Sequence, residues 1–351
     1  MQQSNDKFLD LPSDMLILIF QLLDTNSLIA LSRTCKAIRH ELSTEPRYWE
    51  FSRVSIFFRN EFEFLDLLKL STLAVRHFSF SQIQHINSVS AASSQVFQYS
   101  SSFQHLETIS MDNCSFDKPM MKFVCGWLEQ QPAKKLCLLR SSMTAIESDK
   151  FTHSISCMEH LTTLVVSDCT LPLIFWERLA KSFTKMKQLS HLNLSGNLMT
   201  DCGLNNLNME LHNLTNLEAL YLGSNSLKTY NLNLEANSKL CVLDLSANSF
   251  AGSQMEDLGL SIVDKQHLIS LNLAYNQIGD QGFEMLATFL VHLKALRELA
   301  LSGNSLTPKA YKTLVRTCRK KINHLHIRGN LFTPTQEQCL KKAFSKHSTP
   351  L

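Results

Sequence analysis

Residues 189–199 read LSHLNLSGNLM, with leucine at positions one, four and six, asparagine at position nine and an apolar residue at position eleven. Full copies of this pattern begin at Leu217 (LEALYLGSNSL), Leu240 (LCVLDLSANSF), Leu268 (LISLNLAYNQI), Leu296 (LRELALSGNSL) and Ile322 (INHLHIRGNLF). Weaker copies begin at Leu106, Ala133 and Leu161. The nine copies start 23 to 28 residues apart, so the chain contains a tandem repeat, which decides its architecture.

Each copy predicts a short β-strand. Positions four and six are apolar and two residues apart, so their side chains point to the same side of a strand, towards the core. The side chains between them face the opposite, concave side. The ninth residue is Asn in the six clear copies and Cys at Cys114 and Cys169. An inward amide can satisfy backbone groups in the turn after each strand, which predicts a structural role for this column.

The rest of each repeat predicts a helix. Residues 281–296 place Phe283, Leu286, Leu290 and Leu293 on one helical face, and residues 175–189 and 309–322 behave likewise. One strand and one helix per repeat predict a curved α/β solenoid, with a parallel sheet on the concave face and helices on the convex face. The repeat that begins at Leu217 is five residues shorter, so we expect an irregular crossing in place of its helix.

The composition excludes several classes of protein. Hydrophobic residues make up 44% of the 351 residues and charged residues 19%, so the chain can bury a core. Only 10 residues are glycine, which argues against glycine-dependent nucleotide sites. The chain has 10 cysteines and no CxxC pair, a pattern that predicts buried free thiols in a reducing compartment. No catalytic motif is evident, and we expect no enzymatic activity, no cofactor and no metal site.

No membrane span or nucleic-acid site is expected. The longest apolar runs fall short of the roughly 18 residues that a membrane helix needs, and the opening residues MQQSNDKF lack a signal-peptide core. The segment 316–346 is basic, but no aromatic residues alternate with its charges as they do in single-stranded nucleic-acid sites. We therefore interpret its charge as a solvated face, with an acidic partner or an anionic lipid as the alternative.

The repeats resemble the leucine-rich-repeat family, in the long form of ribonuclease-inhibitor-like and nucleotide-sensor proteins. The resemblance covers residues 106–332 and implies about nine repeats. Solenoid ends need caps, and residues 333–346 are expected to form a C-terminal capping helix that covers the last turn with Cys339, Leu340 and Phe344. Residues 51–105 are expected to form a linker and a degenerate first repeat, with a candidate strand at 75–80, and residues 333–351 form the cap and tail.

Residues 9–49 share no part of the repeat. A helix start at Pro12 and Ser13 is followed by a helix that is apolar on nearly all sides, which must be buried in its own domain or against a partner. The string LPxxxLxxIFxxL, a leucine-rich segment, a Cys-Lys pair and the closing Trp49 resemble the F-box. The resemblance implies a three-helix module over residues 1–50. A helical hairpin that caps the solenoid is the alternative interpretation of these residues.

The F-box resemblance implies docking to the Skp adaptor and, through it, to the cullin of SCF-type ubiquitin ligases. The residues that match the motif, and that we expect to bind the adaptor, are Leu11, Pro12, Leu16, Ile19, Phe20, Leu23, Leu28, Leu31 and Cys35. The solenoid would then bind the protein that is ubiquitinated, and the chain would act as a non-catalytic substrate receptor.

The target site is expected on the concave face. The mid-strand positions are Ser110, Cys137, Val165, Asn193, Tyr221, Asp244, Asn272, Ala300 and His326. From these and their neighbours we select as candidate target-binding residues His191, Asn193, Tyr221, Asp244, Asn272, Glu298, His326 and Arg328. Tyr221 and Arg328 rank first, because tyrosine and arginine are enriched at interface hot spots.

Two other functions remain open. A binding scaffold or inhibitor without a ligase role would share every feature from residue 106 onward. A pathogen effector would use the same F-box to borrow a host ligase. All three alternatives predict a protein in the cytoplasm or nucleus of a eukaryotic cell.

Overall fold

The computed structural model describes residues 106–115, 118–319 and 321–344, together with the backbone of residues 53–57 and 77–81 and the single residue Ile19. The chain divides into two compact units, Met1–Leu161 and Thr162–Leu351.

The described part of the first unit contains four parallel strands that pair in sequence order. They are β1 (Arg53–Phe57), β2 (His77–Ser81), β3 (Thr108–Asp112) and β4 (Lys135–Leu139). Their register aligns Phe78 with Ile109 and Ile109 with Leu136. Helices α1 (Lys118–Leu128) and α2 (Ala145–Ser156) follow β3 and β4. Strand β2 overlaps the predicted segment 75–80, whereas β1 was not predicted.

The described part of the second unit contains seven short strands. They are β5 (Thr163–Ser167), β6 (His191–Asn193), β7 (Ala219–Tyr221), β8 (Val242–Asp244), β9 (Ser270–Asn272), β10 (Glu298–Ala300) and β11 (His324–His326). Each pairs in parallel with the next, and the fourth residues of the repeats align from Leu192 through Leu220 to Leu325. The helices are α3 (Leu173–Ser182), α4 (Thr200–Glu210), α5 (Met255–Ile262), α6 (Gly279–Leu290), α7 (Tyr311–Cys318) and α8 (Pro334–Phe344).

The core consists of the predicted leucine columns. Leu192, Leu243 and Leu271 at position four are 0% exposed, as are Leu194 and Leu245 at position six. The helical face predicted from Phe283, Leu286 and Leu290 is also fully buried. Removing such side chains from water stabilises the fold by roughly 1.5–3 kcal/mol each. Parallel strands alternate with helices around this core, which confirms the predicted α/β solenoid class.

The asparagine column has the predicted structural role. Asn197 donates from Nδ2 to the carbonyl oxygens of Val166 and Leu194, both at 2.7 Å, and its Oδ1 accepts from the backbone N–H of Cys169 at 2.9 Å. Asn248, Asn276 and Asn304 make the same kinds of bond in three later repeats. In the repeat that begins at Ala133, Ser141 takes this position and its hydroxyl accepts from the N–H of Cys114 at 3.0 Å.

Several helices end earlier than their periodicity predicts. Helix α6 ends at Leu290 although Leu293 and Leu296 continue the apolar spacing. Both leucines are buried, but they lie in tight turns in which each donates its N–H three residues back. The apolar spacing therefore continues into the loop because the loop also covers the core.

The short repeat has no helix between Leu222 and Lys239 in the described chain, as its length predicts. The predicted capping helix is α8, which begins after Thr333, whose backbone N–H and Oγ1 both lie 3.2 Å from Gln336 Oε1. Leu340 and Phe344 are buried as expected. The expectation for Cys339 was wrong, because it is exposed on the solvent side of α8.

The nine cysteines that the structure describes are free, but not all of them are buried. Cys114, Cys125, Cys137, Cys169 and Cys318 lie in the core, whereas Cys202 is exposed like Cys339. The prediction of uniformly buried thiols was therefore wrong for these two, which occupy the outer faces of α4 and α8. In the described residues, no helix is both long enough and apolar enough to cross a membrane.

Candidate functional site

Two surfaces were predicted to bind proteins, and the first is the F-box. Eight of its nine predicted adaptor-binding residues lie outside the described residues. The ninth, Ile19, is helical and partly exposed.

The second surface is the solvent-facing side of strands β5–β11, which we call the strand face. The register brings predicted target-binding residues together in one row, in which Asn193 lies beside Tyr221, Tyr221 beside Asp244, and Asp244 beside Asn272. The row continues through Ala300 to His326. His191 and Glu298 belong to the adjacent row, next to Ala219 and His324 respectively. Arg328 follows β11 and is exposed.

The middle of this row is held by hydrogen bonds. Asp244 Oδ1 accepts from the backbone N–H of Ser246 at 2.8 Å and from its hydroxyl at 2.6 Å, while Asn272 Nδ2 donates to Asp244 Oδ2 at 2.9 Å. Asn193 and Asn272 each accept from the backbone N–H two residues on. These side chains are half-buried and preorganised. Binding a partner therefore costs little side-chain entropy at these residues.

The C-terminal end of the strand face is more exposed and carries charges of both signs. His326 Nε2 lies 3.4 Å from Glu298 Oε1, and both side chains are about half exposed. His191, further along the face, is exposed and its Nδ1 lies 2.8 Å from the hydroxyl of Ser190. These groups are free to rearrange around a partner.

One predicted face position was wrong. Cys137 at the middle of β4 is only 8% exposed, and burial raises the pKa of its thiol. It therefore belongs to the core of the first unit, so no surface role is assigned to it.

Tyr275 is a candidate that the strand pattern missed, because it lies in the turn after β9. It is 64% exposed and has a φ of 58°, in the left-handed region. Gly196, Gly303 and Gly329 occupy the same position in other repeats. A Cβ added at Gly303 would lie 2.6 Å from Tyr275 Cδ1, so the ring rests against that glycine. Ser224 and Ala247 at the same repeat position also have a positive φ, so this conformation belongs to the turn, and Tyr275 is a candidate because its aromatic ring is exposed.

The arrangement is suited to the recognition of a protein partner. In the residues that the structure describes, no group of three or more His, Cys, Asp or Glu side chains is placed to hold a metal ion. The strand face instead offers amide, carboxylate, imidazole and phenol groups along one surface, which is what a protein partner can contact.

Two family models match the sequence. The F-box domain matches residues 8–50, and a Leucine Rich repeat model matches residues 264–287. The first match contains all nine residues predicted to bind the adaptor, and the second spans β9 and most of α6.

Curated relatives share the repeats. The chain is 27% identical over 208 residues to the ribonuclease inhibitor of Sus scrofa, which covers 57% of this chain and 46% of the inhibitor. It is 32% identical over 174 residues to Leucine-rich repeat-containing protein 73 of Homo sapiens, with 46% of this chain and 55% of that protein covered. It is 25% identical over 276 residues to NACHT, LRR and PYD domains-containing protein 9C of Mus musculus, with 68% and 27% covered.

The chain thus spans 27% to 55% of the length of these relatives. Among solved structures, an internalin from Listeria monocytogenes superposes with a TM-score of 0.53 over 85% of this chain and 77% of the internalin. The two sequences are 16% identical, so this likeness shows the fold alone. The F-box match, the repeat match and the relatives that share the repeats together support an F-box and leucine-rich-repeat protein.

Proposed function

We propose that this protein is the substrate receptor of an SCF-type cullin–RING ubiquitin ligase. The F-box domain at residues 8–50, joined to leucine-rich repeats, makes the chain a protein-interaction adaptor. The F-box match is the observation that carries the finer proposal. In it, residues Leu11 to Cys35 dock on a Skp-type adaptor, which links the chain to the cullin in the cytoplasm or nucleus.

The receptor forms and breaks no covalent bonds itself. By holding a target near the ubiquitin-carrying enzyme, it raises the effective concentration of target lysines at the thioester. The repeats suit this task because each strand is fixed by its two neighbours, so the strand face presents its side chains in a defined order.

The target is proposed to bind on the strand face. Its half-buried row from Asn193 to Asn272 supplies preorganised polar groups, and Tyr221, Tyr275 and Arg328 are of the residue types that dominate interface energies. A handful of such residues is expected to carry most of the affinity, with the surrounding polar side chains excluding water.

The adaptor link is tested by changing Leu11 and Pro12 together to alanine. We expect the variant to lose co-purification with a recombinant Skp-type adaptor, because anchor energy concentrates in a few buried apolar side chains. The thermal transition of the repeats is expected to stay unchanged. The matched control is Leu198→Ala, which removes an equally apolar side chain that is 74% exposed on the second unit. Retained binding by the double variant would refute the proposal.

A scaffold or inhibitor without a ligase role is the competing function, and the relatives include a ribonuclease inhibitor. Affinity capture from a eukaryotic lysate with the wild type and the Leu11/Pro12 variant separates the two. A receptor brings down its target together with adaptor and cullin, and its variant brings down the target alone. A scaffold brings down its target without cullin in both cases.

A further inference from the structure

The short repeat leaves a gap in the helical layer of the second unit. In the described chain, no α-helix lies between α4 and α5, where residues 228–235 run instead. On their other sides, both helices are tightly packed. A Cβ on Gly203 of α4 would lie 2.9 Å from the Trp176 ring of α3, and one on Gly259 of α5 would lie 2.1 Å from the Phe289 ring of α6. Neither helix is therefore free to close the gap.

The segment 228–235 lies against α4. Asp201 Oδ1 accepts from the backbone N–H of Lys228 at 2.8 Å and of Thr229 at 3.1 Å. Asn208 donates to the carbonyl of Asn231 at 2.8 Å and accepts from the N–H of Asn233 at 2.7 Å. The α4 side of the gap is therefore filled, and the space that remains lies towards α5.

That space is a groove of about 560 Å³ between the segment and α5. Its volume falls in the range of roughly 300–1,000 Å³ that is typical of ligand sites. Tyr230, Leu232 and Leu234 are buried along the segment and contribute to the lining. Two contacts cross the groove: the Tyr230 hydroxyl bonds to Ser261 Oγ, and Lys265 Nζ donates to the carbonyl of Glu235 at 3.3 Å.

The lining combines apolar and acidic side chains. The Leu260 side chain of α5 lines the groove and is 60% exposed. Asp257, one turn before it, and Asp264, just beyond the helix, also line the groove, and so does Glu235 on the opposite side. All three carboxylates are on exposed residues. Lys265, the basic residue of the lining, is 4% exposed and already bound to the carbonyl of Glu235.

We propose that this groove is a second protein-binding site, which takes a basic segment of a partner with an aliphatic side chain between lysine or arginine residues. The aliphatic side chain covers Leu260, and the basic side chains pair with Asp257, Asp264 and Glu235. Charge complementarity selects this occupant, since the lining holds three exposed carboxylates and an exposed leucine against one buried lysine. The site lies on the helical side, so it is separate from the strand face.

The test measures fluorescence anisotropy of a labelled Lys-Arg-Leu-Lys-Arg peptide, flanked by Gly-Ser, with the full chain at about 0.15 M salt. We expect saturable binding that weakens at least tenfold in the Leu260→Ser variant and in the Asp257→Asn/Asp264→Asn variant. The same peptide with serine in place of leucine, and its Glu-Asp-Leu-Glu-Asp counterpart, are expected to bind at least tenfold more weakly.

Two control variants match these changes outside the groove. Glu256→Gln/Glu284→Gln removes two carboxylates from exposed residues of the same helical layer, and Leu198→Ser removes an exposed leucine. Both are expected to bind the peptide as the wild type does. The proposal is overturned if no binding occurs, if the controls lose affinity equally, or if the serine peptide binds as well. Concentration-dependent dimerisation that Leu260→Ser abolishes would also overturn it, because a second copy would then occupy the groove.

Discussion

Asn225 closes the turns of two neighbouring repeats at once. Its Nδ2 donates to the carbonyl of Leu194 at 2.8 Å, and its Oδ1 accepts from the backbone N–H of Asn197 at 3.1 Å. The side chain is 0% exposed, so water does not reach these backbone groups. Asn197 bonds in the same way to Val166 and Cys169, so the asparagine column links each of these repeats to the one before it.

Replacing Asn225 with alanine is expected to destabilise the second unit by about 3 kcal/mol or more. The change leaves several buried backbone groups without partners, and each costs roughly 1–3 kcal/mol. Urea unfolding followed by circular dichroism measures the loss. Gln188→Ala, at an exposed position, is the control and is expected to change stability by less than about 0.5 kcal/mol. Equal stability of the two variants would show that the column is dispensable.

Gly259→Ala is expected to lower the free energy of unfolding by about 1–3 kcal/mol, although alanine is the better helix former. The new methyl group would meet the Phe289 ring at 2.1 Å and push α5 away from α6. The double variant Gly259→Ala/Phe289→Leu should recover part of this loss, because the smaller side chain makes room. Thermal unfolding of the three proteins gives the comparison, and a stabilising single variant would contradict the packing.

Tyr275→Gly is expected to weaken target binding while it changes the stability of the fold little. Glycine adopts the left-handed conformation freely, whereas a bulky residue in that conformation costs about 1–2 kcal/mol. This gain offsets the loss of the ring contact with Gly303, so the free energy of unfolding should stay within about 1 kcal/mol of the wild type. Affinity for a target on the strand face is expected to fall at least tenfold. The comparison uses calorimetry with a captured target and Ser224→Gly, at the same repeat position with a φ of 56°, as the control. Unchanged affinity would remove Tyr275 from the site.

Cysteine alkylation should follow burial in the described chain. At about pH 8, iodoacetamide is expected to modify Cys202 and Cys339 first, because both are exposed. Burial raises the pKa of Cys125 to about 11 and that of Cys318 to about 12, which keeps both thiols protonated and shielded.

Mass spectrometry of tryptic peptides after timed labelling gives the order. Labelling in denaturant provides the control, because it should make all the cysteines react. Early modification of Cys318 in the native protein would contradict its placement in the core.

Stability is expected to decline at alkaline pH in part through Cys318. Burial raises the pKa of Cys318 from the ordinary thiol value of 9.0 to about 12 in the folded state, so its contribution to stability is fully present below about pH 9 and is lost as pH rises towards 12. The expected slope from this one thiol is at most about 1.4 kcal/mol per pH unit. Urea unfolding at several pH values tests this, and Cys318→Ala should show a shallower decline. Identical slopes would mean that the thiol stays protonated in both states.

Much of the fold follows from local pattern. The spacing of leucines such as Leu192 and Leu194 predicts strands, and the shared ninth position predicts the asparagine column, because both depend on residues in one repeat and its neighbour. Helix ends such as Leu290 were less predictable, since the buried Leu293 continues the same spacing inside a turn. The exposure of Cys202 and Cys339 was also missed, because a cysteine suits either side of a helix.

The residues of the candidate target site were also only partly predictable from the sequence. The mid-strand positions of the strand face follow from alternation along a strand, so Tyr221 and Asp244 could be named from the sequence. Tyr275 could not, because its significance lies in a positive φ and in its contact with Gly303 of the next repeat. A signal was nonetheless present, since a tyrosine stands where other repeats have glycine.

The sequence by itself determined the repeat, its strand register, its leucine core and the F-box module, because each depends on particular residue types at a fixed spacing. It also showed that one repeat is too short for a helix. Only the tertiary structure showed how the space of the missing helix is filled and where a groove remains. The segment 228–235 bonds to α4 through Asp201 and Asn208, and the acidic groove therefore opens beside Leu260 of α5. These contacts join residues of different repeats, so the spacing within one repeat does not predict them.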